Sequence, residues 1–391
     1  MTLVAQTWQL RLILAISLYL ALIQLYGATL SGHLFWDLNV YRSAAQMYQL
    51  GQDAYAVGHP DLRFVYSPLV LWAFAQLGDS LVMIFTALYL ACIAAFLCLT
   101  PLSMSLSALL AFGVMLNMQP LTIAFMTGNI TIYMHLLILL IWLHRARPSA
   151  NAFLLGAITV TALIKPNFAA YFALWFLSVG RWDHNSTKAA VTLIAVVPIW
   201  LLQALLQPAE FQAFLASLKE QTGITSAGQD MGYGFFTYTQ RYSGSARLGL
   251  LLHIGICLAL AFFWLRSILP HLQTANSHSA LVLISTGPML ICLLSNPRLK
   301  EYDLALVCIL AIQAAYLLAR HRPRWLLHPI VIVTLFVSTV HLLPVFNYPS
   351  RFTANAIILL TMLATFLVSA RMISRDSTQD PLRTPPATAL H

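Results

Sequence analysis

Long apolar runs, separated by short polar turns, follow one another along almost the whole chain. An α-helix rises 1.5 Å per residue, so about 20 apolar residues cross the hydrocarbon core of a bilayer. The runs that fit this length in full or in part are 8–30, 66–78, 80–99, 103–118, 128–143, 150–164, 167–180, 188–206, 248–267, 279–294, 302–319, 325–343 and 353–371. Several have only about 13–16 residues, which is typical of broken, tilted or half-membrane helices. The pattern predicts an all-α bundle of about 11–13 transmembrane helices.

Two long polar connections interrupt this pattern, at residues 31–64 and 207–247. The apolar run before the first connection is longer than the core of a signal peptide and lacks a small-residue cleavage site, which favours an uncleaved first helix. Residues 373–391 are polar and Pro-rich, and we expect them to form a disordered tail. The predicted organisation is one transmembrane domain over residues 1–372, with the two connections as its outer loops.

The composition agrees with this reading of the pattern. Apolar residues make up 60% of the chain and charged residues only 8%, whereas about 25% of a soluble domain is charged. The five cysteines all lie inside apolar runs, which indicates core packing and not a zinc or redox site. These values exclude a soluble enzyme, a disordered chain and a disulfide-rich secreted module.

The basic residues are concentrated in short connections and in the tail. They are Arg11, Arg145, Arg147, Arg181, Lys188, Arg266, Arg320, Arg322, Arg324, Arg371, Arg375 and Arg383. The positive-inside rule places them in the cytoplasm, and they account for nearly all of the net charge of +9. We therefore expect an integral inner-membrane protein with cytoplasmic N- and C-termini and with both long connections on the outer, periplasmic face.

This topology limits the number of spans between the first outer loop and Lys165. If both lie outside, an even number of spans must separate them, whereas five apolar runs lie in between. The runs 66–78 and 103–118 are the weakest candidates for a full span. We expect one of them to be re-entrant or to merge with its neighbour.

The first outer loop contains a sequence typical of an amphipathic helix. Asp37, Tyr41 and Tyr48 fall on one side of it, and Ala44 and Ala45 permit close packing. Such a helix would lie in the outer membrane interface with its aromatic residues as anchors. Asp37 is either the N-cap of this helix or a catalytic carboxylate between apolar residues.

Two polar breaks, Gly128-Asn129 and Lys165-Pro166, separate later apolar runs. Irregular backbone at membrane depth persists only where it is buried in protein or lines a wet cavity. Lys165 is therefore either a functional residue or an interface lysine whose ammonium reaches the water.

Residues 295–303 form the densest charged stretch of the chain. Glu301 and Asp303 can be explained by a favourable interaction with the dipole of the helix that follows. Arg298 and Lys300, on the less basic face, are not explained in this way. An anionic phosphate ligand would account for them.

In chain order these residues resemble glycosyltransferase family 87, a group of membrane enzymes with the GT-C fold. The matching elements are Asp37-x-x-x-Tyr41, Gly51-x-x-x-Tyr55, Tyr66-Ser-Pro68, Gly128-Asn129, Lys165-Pro166 and Asn296-Pro-Arg-Leu-Lys-Glu-Tyr-Asp303. Family members usually have Gly-Gln where this chain has Gly128-Asn129. The family includes polyprenyl-phosphate-mannose-dependent α-1,2-mannosyltransferases.

The resemblance implies a lipid-phosphate sugar donor, with mannose favoured, a glycan or glycolipid acceptor, and an active site at the outer membrane face. The absence of a Gly-rich phosphate loop agrees with such a donor. Asp37 would be the general base of a one-step inverting displacement. Cations would bind the leaving phosphate, with Arg298 and Lys300 first and Lys165, Arg42 and Arg63 behind them. The substrate-binding candidates are Tyr41, Tyr66, Asn129 and Tyr302, and interface anchoring is an alternative role for Tyr41 and Tyr66.

We predict no metal and no other cofactor, because His33 and Asp37, or His59 and Asp61, lack a third ligand. We expect no nucleic-acid partner, since the basic residues form no dense patch.

A transporter or flippase is a rival interpretation, but nearly all charges map to helix ends and the chain has no internal repeat. A ligase or polymerase of lipid-linked glycans is another. The Gly-, Tyr- and Phe-rich stretch 232–238 favours a flap over a substrate groove instead.

Overall fold

The structure, a computed structural model, describes residues 19, 22–23, 25–32, 34–56, 63–99, 121–143, 149–166, 168–169, 172–173, 182–226, 235–268 and 300–304. In these ranges every element of regular secondary structure is helical, as the predicted class requires. Outside the described residues lie the predicted runs 103–118, 279–294, 325–343 and 353–371, most of 8–30, 167–180 and 302–319, the tail 373–391, and the side chains of Arg298, His33, His59 and Asp61.

The longer helices are numbered here in chain order. They are α1 (Trp36–Gln49), α2 (Pro68–Leu77), α3 (Ser80–Leu99), α4 (Ile132–Leu143), α5 (Ser149–Ile164), α6 (Trp182–Leu206), α7 (Pro208–Ser226), α8 (Phe235–Ser243) and α9 (Ala246–Phe263). Short 3₁₀ helices lie at Ala54–Ala56 and Glu301–Leu304. Helices α2 to α6 and α9 confirm the predicted apolar runs to within a turn or two.

Helix α1 confirms the amphipathic helix predicted in the first long connection. It follows Phe35, whose φ of 62° is left-handed and whose N–H donates to the carbonyl of Met126 at 2.6 Å. Leu50 and Gly51, which has a φ of +69°, end the helix. Because Phe35 occupies the N-cap position and Asp37 the first turn, the N-cap interpretation of Asp37 is wrong.

Helix α2 is too short to cross a bilayer, since ten residues span about 15 Å. Its two ends are tied to α1. Before it, the Tyr66 hydroxyl contacts that of Tyr41, and after it, Asp79 pairs with Arg42. Because Tyr41 and Arg42 are adjacent in α1, both ends of α2 lie next to the same part of α1. Helix α2 therefore does not span by itself, and the number of runs that cross the membrane before Lys165 stays a prediction.

The two long connections pack against each other. Helix α7 lies in the second connection and contacts the end of the first: Arg63 pairs with Glu220 at 2.7 Å, and the Ser217 hydroxyl donates to the carbonyl of Phe64 at 2.9 Å. The second connection is therefore largely helical, with α7 and α8 inside it.

The flap expected at 232–238 is, from Phe235 onward, a packed helix. A Cβ added to Gly249 of α9 would lie 2.5 Å from the Cα of Gln240 of α8. The two helices thus touch backbone to backbone at this point. Such close contact is possible only because residue 249 has no side chain.

Among the described helices, Ala246–Arg266 is long and apolar enough to cross a membrane by itself. Two further pairs meet the same criterion only when taken together, and they bend by 100° and 111° at their breaks. They are Pro68–Leu77 with Ser80–Ala95, and Ala190–Leu206 with Pro208–Gln221. The described part of the chain thus contains one span, or up to three, and the total of about 11–13 stays a prediction.

An aromatic cluster fills the space where α1, α2 and α7 meet. Its members are buried and join one another through ring contacts at centroid distances of 5.1–6.3 Å: Tyr41, Tyr55, Phe64, Tyr66, Phe74 and Phe214. Edge-to-face and offset pairs of this kind each add about 0.5–1.5 kcal/mol beyond the area they bury. The cluster gives the first connection a rigid interior and so fixes the position of α1.

Candidate active site

Asp37 lies in the first turn of α1 with its side chain directed inward, and only 8% of the residue is exposed. The side-chain amide of Asn129 donates to its Oδ2 at 2.7 Å. A hydrogen bond from an amide to a carboxylate is among the stronger neutral-to-charged contacts. Asp37 is thus a buried carboxylate that is held in one orientation by a distant part of the chain.

The turn around Asn129 fixes the orientation of the amide that it presents. Its Oδ1 accepts the backbone N–H of Thr131 at 3.0 Å, and its own N–H donates to the carbonyl of Ala124 at 2.8 Å. An Asx-turn of this kind leaves the amide nitrogen pointing away from the turn. Both functional groups of the Asn129 side chain therefore bond to protein, and the nitrogen bonds to Asp37.

Gly128 allows α1 to approach this turn. Its φ is +67°, and an added Cβ would lie 2.5 Å from the Cβ of Leu38. Real Cβ atoms do not come so close, so only glycine satisfies both the backbone angle and the contact. The predicted Gly128-Asn129 break is thus a packed turn against the first turn of α1.

Tyr41 lies one turn after Asp37 in α1, and it faces Tyr66, which lies just before α2. Their hydroxyl oxygens are 3.1 Å apart, and the residues are 3% and 7% exposed. The hydroxyl of Tyr55 donates to the carbonyl of Tyr66 at 3.0 Å. Burial at this depth contradicts interface anchoring as the role of either Tyr41 or Tyr66.

Burial is also the main reason that the pKa of Tyr41 is raised well above its usual value, with smaller contributions from Tyr66 and Asp37. The Tyr41 hydroxyl therefore keeps its proton at any ordinary pH. As a neutral phenol it can donate to, or accept from, the Tyr66 hydroxyl that it contacts.

A second polar group lies at the Lys165 break. The Lys165 ammonium pairs with Oδ1 of Asp303 at 2.8 Å, and Oδ2 of Asp303 accepts the backbone N–H of Lys300 at 3.1 Å. The rings of Phe168 and Tyr302 lie 4.9 and 5.3 Å from the ammonium, within the range of cation–π attraction. Lys165 is thus an inward-facing, paired cation, which contradicts the alternative of a lysine reaching for water.

Three residues lie near both polar groups. Tyr133 and Tyr302 pack against the buried cluster that contains Tyr41 and Tyr66, and Tyr133 also interacts electrostatically with Asp303. The ring of His135 is hydrogen-bonded to the backbone of Tyr302. Sequence reasoning missed Tyr133 and His135, although both are polar residues in an apolar run just after Gly128-Asn129.

Arg42 and Arg63 are not part of this site. Arg42 pairs with Asp79, and Arg63 with Glu220, both on exposed surface. Neither forms a hydrogen bond or ion pair with Asp37 or with any described residue of the two polar groups. Arg298 lies outside the described residues, and Lys300 contributes its backbone N–H to Asp303.

The comparison with known families decides the class of the protein. Residues 64–296 match the model of glycosyltransferase family 87. The chain belongs to glycosyltransferase family 87. It is therefore a membrane glycosyltransferase, an enzyme that takes a sugar from a donor to an acceptor. No curated protein matches it.

Membership of family 87 supports the resemblance that the motifs indicated, but the matched range does not cover the whole site. Asp37 precedes it, and residues 300–304 follow it. The roles of these residues in the family 87 enzyme therefore rest on geometry. Within the described ranges, no group of three His, Cys, Asp or Glu side chains is placed to hold a metal ion, and the need for a metal stays untested.

Proposed function

We propose that the enzyme transfers a hexose, with mannose favoured, from a polyprenyl-phosphate donor to a hydroxyl of a lipid-linked or glycan acceptor. The observation that carries this proposal is the Asp37 carboxylate. It is buried in the first turn of α1, oriented by Asn129 and close to the Tyr41 hydroxyl. A carboxylate buried among apolar residues and fixed in direction is what a general base requires.

The reaction we propose is a single displacement with inversion at the anomeric carbon. The acceptor hydroxyl gives its proton to Asp37 while its oxygen forms a bond to that carbon. The bond from the carbon to the phosphate oxygen breaks, and its electron pair leaves with the polyprenyl phosphate. A positioned base contributes about 10²–10⁴ in rate to such a step.

The leaving phosphate needs positive charge close by, and Lys165 supports its placement at the second polar group. An ammonium has three N–H donors, and within the described part of the chain Lys165 spends one of them on Asp303. Because Asp303 neutralises that charge, a phosphate also needs Lys300 and Arg298, which precede Asp303 in the chain. Tyr41, Tyr66 and Tyr302 are proposed to contact the substrate, whereas Asn129 orients the base.

We place the reaction at the outer face of the inner membrane. The support is the distribution of charge, which puts the basic connections on the opposite, cytoplasmic side. Polyprenyl chains lie within the bilayer, so a site under an interfacial helix lets the phosphate head group enter from the membrane.

The proposal is tested with purified full-length protein and a panel of polyprenyl-phosphate sugars. We expect the wild type to use at least one hexose donor and to give a product of inverted anomeric configuration. Asp37→Asn should lower kcat by about 10²–10⁴, because the amide cannot accept the proton. Asp79→Asn, which changes an exposed aspartate paired with Arg42 of α1, should leave kcat within twofold.

Two results would overturn the proposal. Full turnover by Asp37→Asn removes Asp37 as the base. Absence of turnover by the wild type with every polyprenyl-phosphate sugar, while a nucleotide sugar is used, removes the donor class.

A further inference from the structure

The hydroxyl of Tyr133 is buried and has no hydrogen-bond partner among the described residues. Other inward-facing tyrosine hydroxyls in the described part of the chain are satisfied by protein. Tyr41 bonds to Tyr66, Tyr55 to the carbonyl of Tyr66, and Tyr89 to Thr122 at 3.3 Å. A buried hydroxyl without a partner costs stability, whereas phenylalanine at the same place would not. The hydroxyl of Tyr133 therefore calls for a partner that the described part of the chain does not provide.

Two more buried hydroxyls in the neighbouring segments share this property. Ser67 is 1% exposed and Thr131 is fully buried, and neither hydroxyl has a partner within the ranges that the structure describes. Ser67 is the N-cap residue of α2, yet its side chain makes no capping bond, although serine is preferred at that position for this bond. Ser67 follows Tyr66 directly and Thr131 precedes Tyr133 by two residues, so the three hydroxyls belong to segments that meet at Tyr66.

The position of Tyr133 indicates what its hydroxyl binds. Its ring packs against the buried cluster that contains Tyr41 and Tyr66, and its hydroxyl interacts electrostatically with Tyr66 and with Asp303, the partner of Lys165. In a transfer from a phosphate to an acceptor hydroxyl, the sugar lies between the phosphate and the base. A group between these two polar centres therefore faces the sugar itself.

We propose that Tyr133 hydrogen-bonds a hydroxyl of the transferred hexose, and that Ser67 and Thr131 line the same sugar-binding part of the site. This inference rests on the proposed function, because it takes the Asp37 side as the acceptor side and the Lys165 side as the phosphate side. The ligand it names is a hydroxyl-rich pyranose ring. The lipid and the phosphate are bound elsewhere.

The test compares two ligands with purified full-length Tyr133→Phe and wild-type protein. The ligands are a polyprenyl phosphate and the same lipid carrying its hexose, and equilibrium binding is measured for both. We expect wild type to bind the hexose conjugate more tightly than the bare phosphate. Tyr133→Phe should lose about tenfold in affinity for the conjugate, the value of one hydrogen bond, and less than twofold for the bare phosphate.

Tyr89→Phe is the matched control, since it removes a buried hydroxyl that protein already satisfies. It should lower the midpoint temperature of unfolding and leave both affinities unchanged. Tyr133→Phe should leave that midpoint unchanged or raise it. These opposite results separate a hydroxyl kept for a ligand from a hydroxyl kept for the fold.

Three outcomes overturn the inference. The first is a fall in the unfolding midpoint of Tyr133→Phe equal to that of Tyr89→Phe. The second is an equal loss of affinity for both ligands. The third is no loss of affinity for either ligand, which would indicate an ordered water as the partner of the hydroxyl. A different result would contradict the proposed function. If wild type binds the conjugate through Tyr133 but transfers no sugar from it, the sugar site is supported and the catalytic proposal is wrong.

Discussion

The side-chain amide of Asn129 donates a hydrogen bond of 2.7 Å to the carboxylate of Asp37, although 92 residues separate the two in sequence. Asn129 is itself held by the N–H of Thr131, at the start of α4. The orientation of the proposed base is therefore set by the packing of α1 against the turn before α4, and not by α1 alone. Substitutions of Asn129 should therefore act on catalysis without touching the substrate.

Asn129→Leu tests Asn129 as a positioning residue. Leucine has the same branched arrangement of four side-chain heavy atoms but no donor, so the Asp37 carboxylate loses a fixed direction. A small misplacement of a reacting group costs about 10² in rate. We expect kcat to fall by about that factor while KM for the donor changes less than threefold, measured by steady-state kinetics.

Asn129→Gln is the conservative control for this substitution. The longer side chain retains the amide donor, and we expect it to keep at least tenfold more activity than Asn129→Leu. Loss of donor binding in Asn129→Leu, with kcat preserved, would show instead that Asn129 contacts the substrate.

Gly128→Ala should separate α1 from the turn. The alanine Cβ would lie 2.5 Å from the Cβ of Leu38, at a φ of +67°, so both strain and overlap oppose it. Overpacking of this kind costs about 1–3 kcal/mol, and the displaced Asp37 should lower kcat together with the free energy of unfolding. Gly78→Ala lies at φ +51° and ψ −127° but has open space around it, so it should lower the free energy of unfolding by about 1–3 kcal/mol and leave kcat unchanged. An unchanged kcat in Gly128→Ala would refute the close contact.

The sequence predicted the local elements of this site well. The apolar and polar alternation after residue 36 predicted α1, and the apolar run 66–78 predicted α2, because periodicity depends on neighbouring residues. The charge pattern and the short polar motifs were sufficient to indicate the family. They also selected Asp37, Asn129 and Lys165 as the positions to examine.

Long-range partners could not be predicted in this way. Asp303 has a sufficient local explanation at the start of a helical turn, and nothing local indicates that it pairs with Lys165, 138 residues earlier. Arg42 and Arg63 were expected to bind phosphate, since a cation in a loop gives no sign of its acid partner. In the structure surface acids already neutralise both.

The ion pair of Lys165 and Asp303 should be coupled strongly. Asp303 is buried and the Lys165 side chain is 19% exposed, so removal of one partner leaves a poorly hydrated charge. We expect Asp303→Asn to lower the free energy of unfolding by about 3 kcal/mol. The double variant Lys165→Met with Asp303→Asn should recover more than half of that loss, measured by denaturant unfolding in detergent.

The exposed pair of Arg42 and Asp79 is the matched control for this cycle. With side chains 44% and 91% exposed, its coupling free energy should be less than about 1 kcal/mol. Steady-state kinetics distinguishes the two pairs further. Lys165→Met should raise KM for the polyprenyl-phosphate donor, whereas Arg42→Met should not. A higher KM in Arg42→Met alone would indicate that the phosphate binds at the first loop.

Alkaline pH should destabilise the fold through Tyr41. Burial raises the pKa of Tyr41 well above its usual value near 10 in the folded protein, so above about pH 10 the unfolded chain loses a proton that the folded chain retains. Stability is therefore complete below pH 10 and falls as pH rises toward the folded-state pKa, by about 1.4 kcal/mol per pH unit for this group. In Tyr41→Phe the fall between pH 10 and 11 should be smaller by about 1 kcal/mol, measured by denaturant unfolding at each pH. Identical slopes in wild type and Tyr41→Phe would contradict the burial of this hydroxyl.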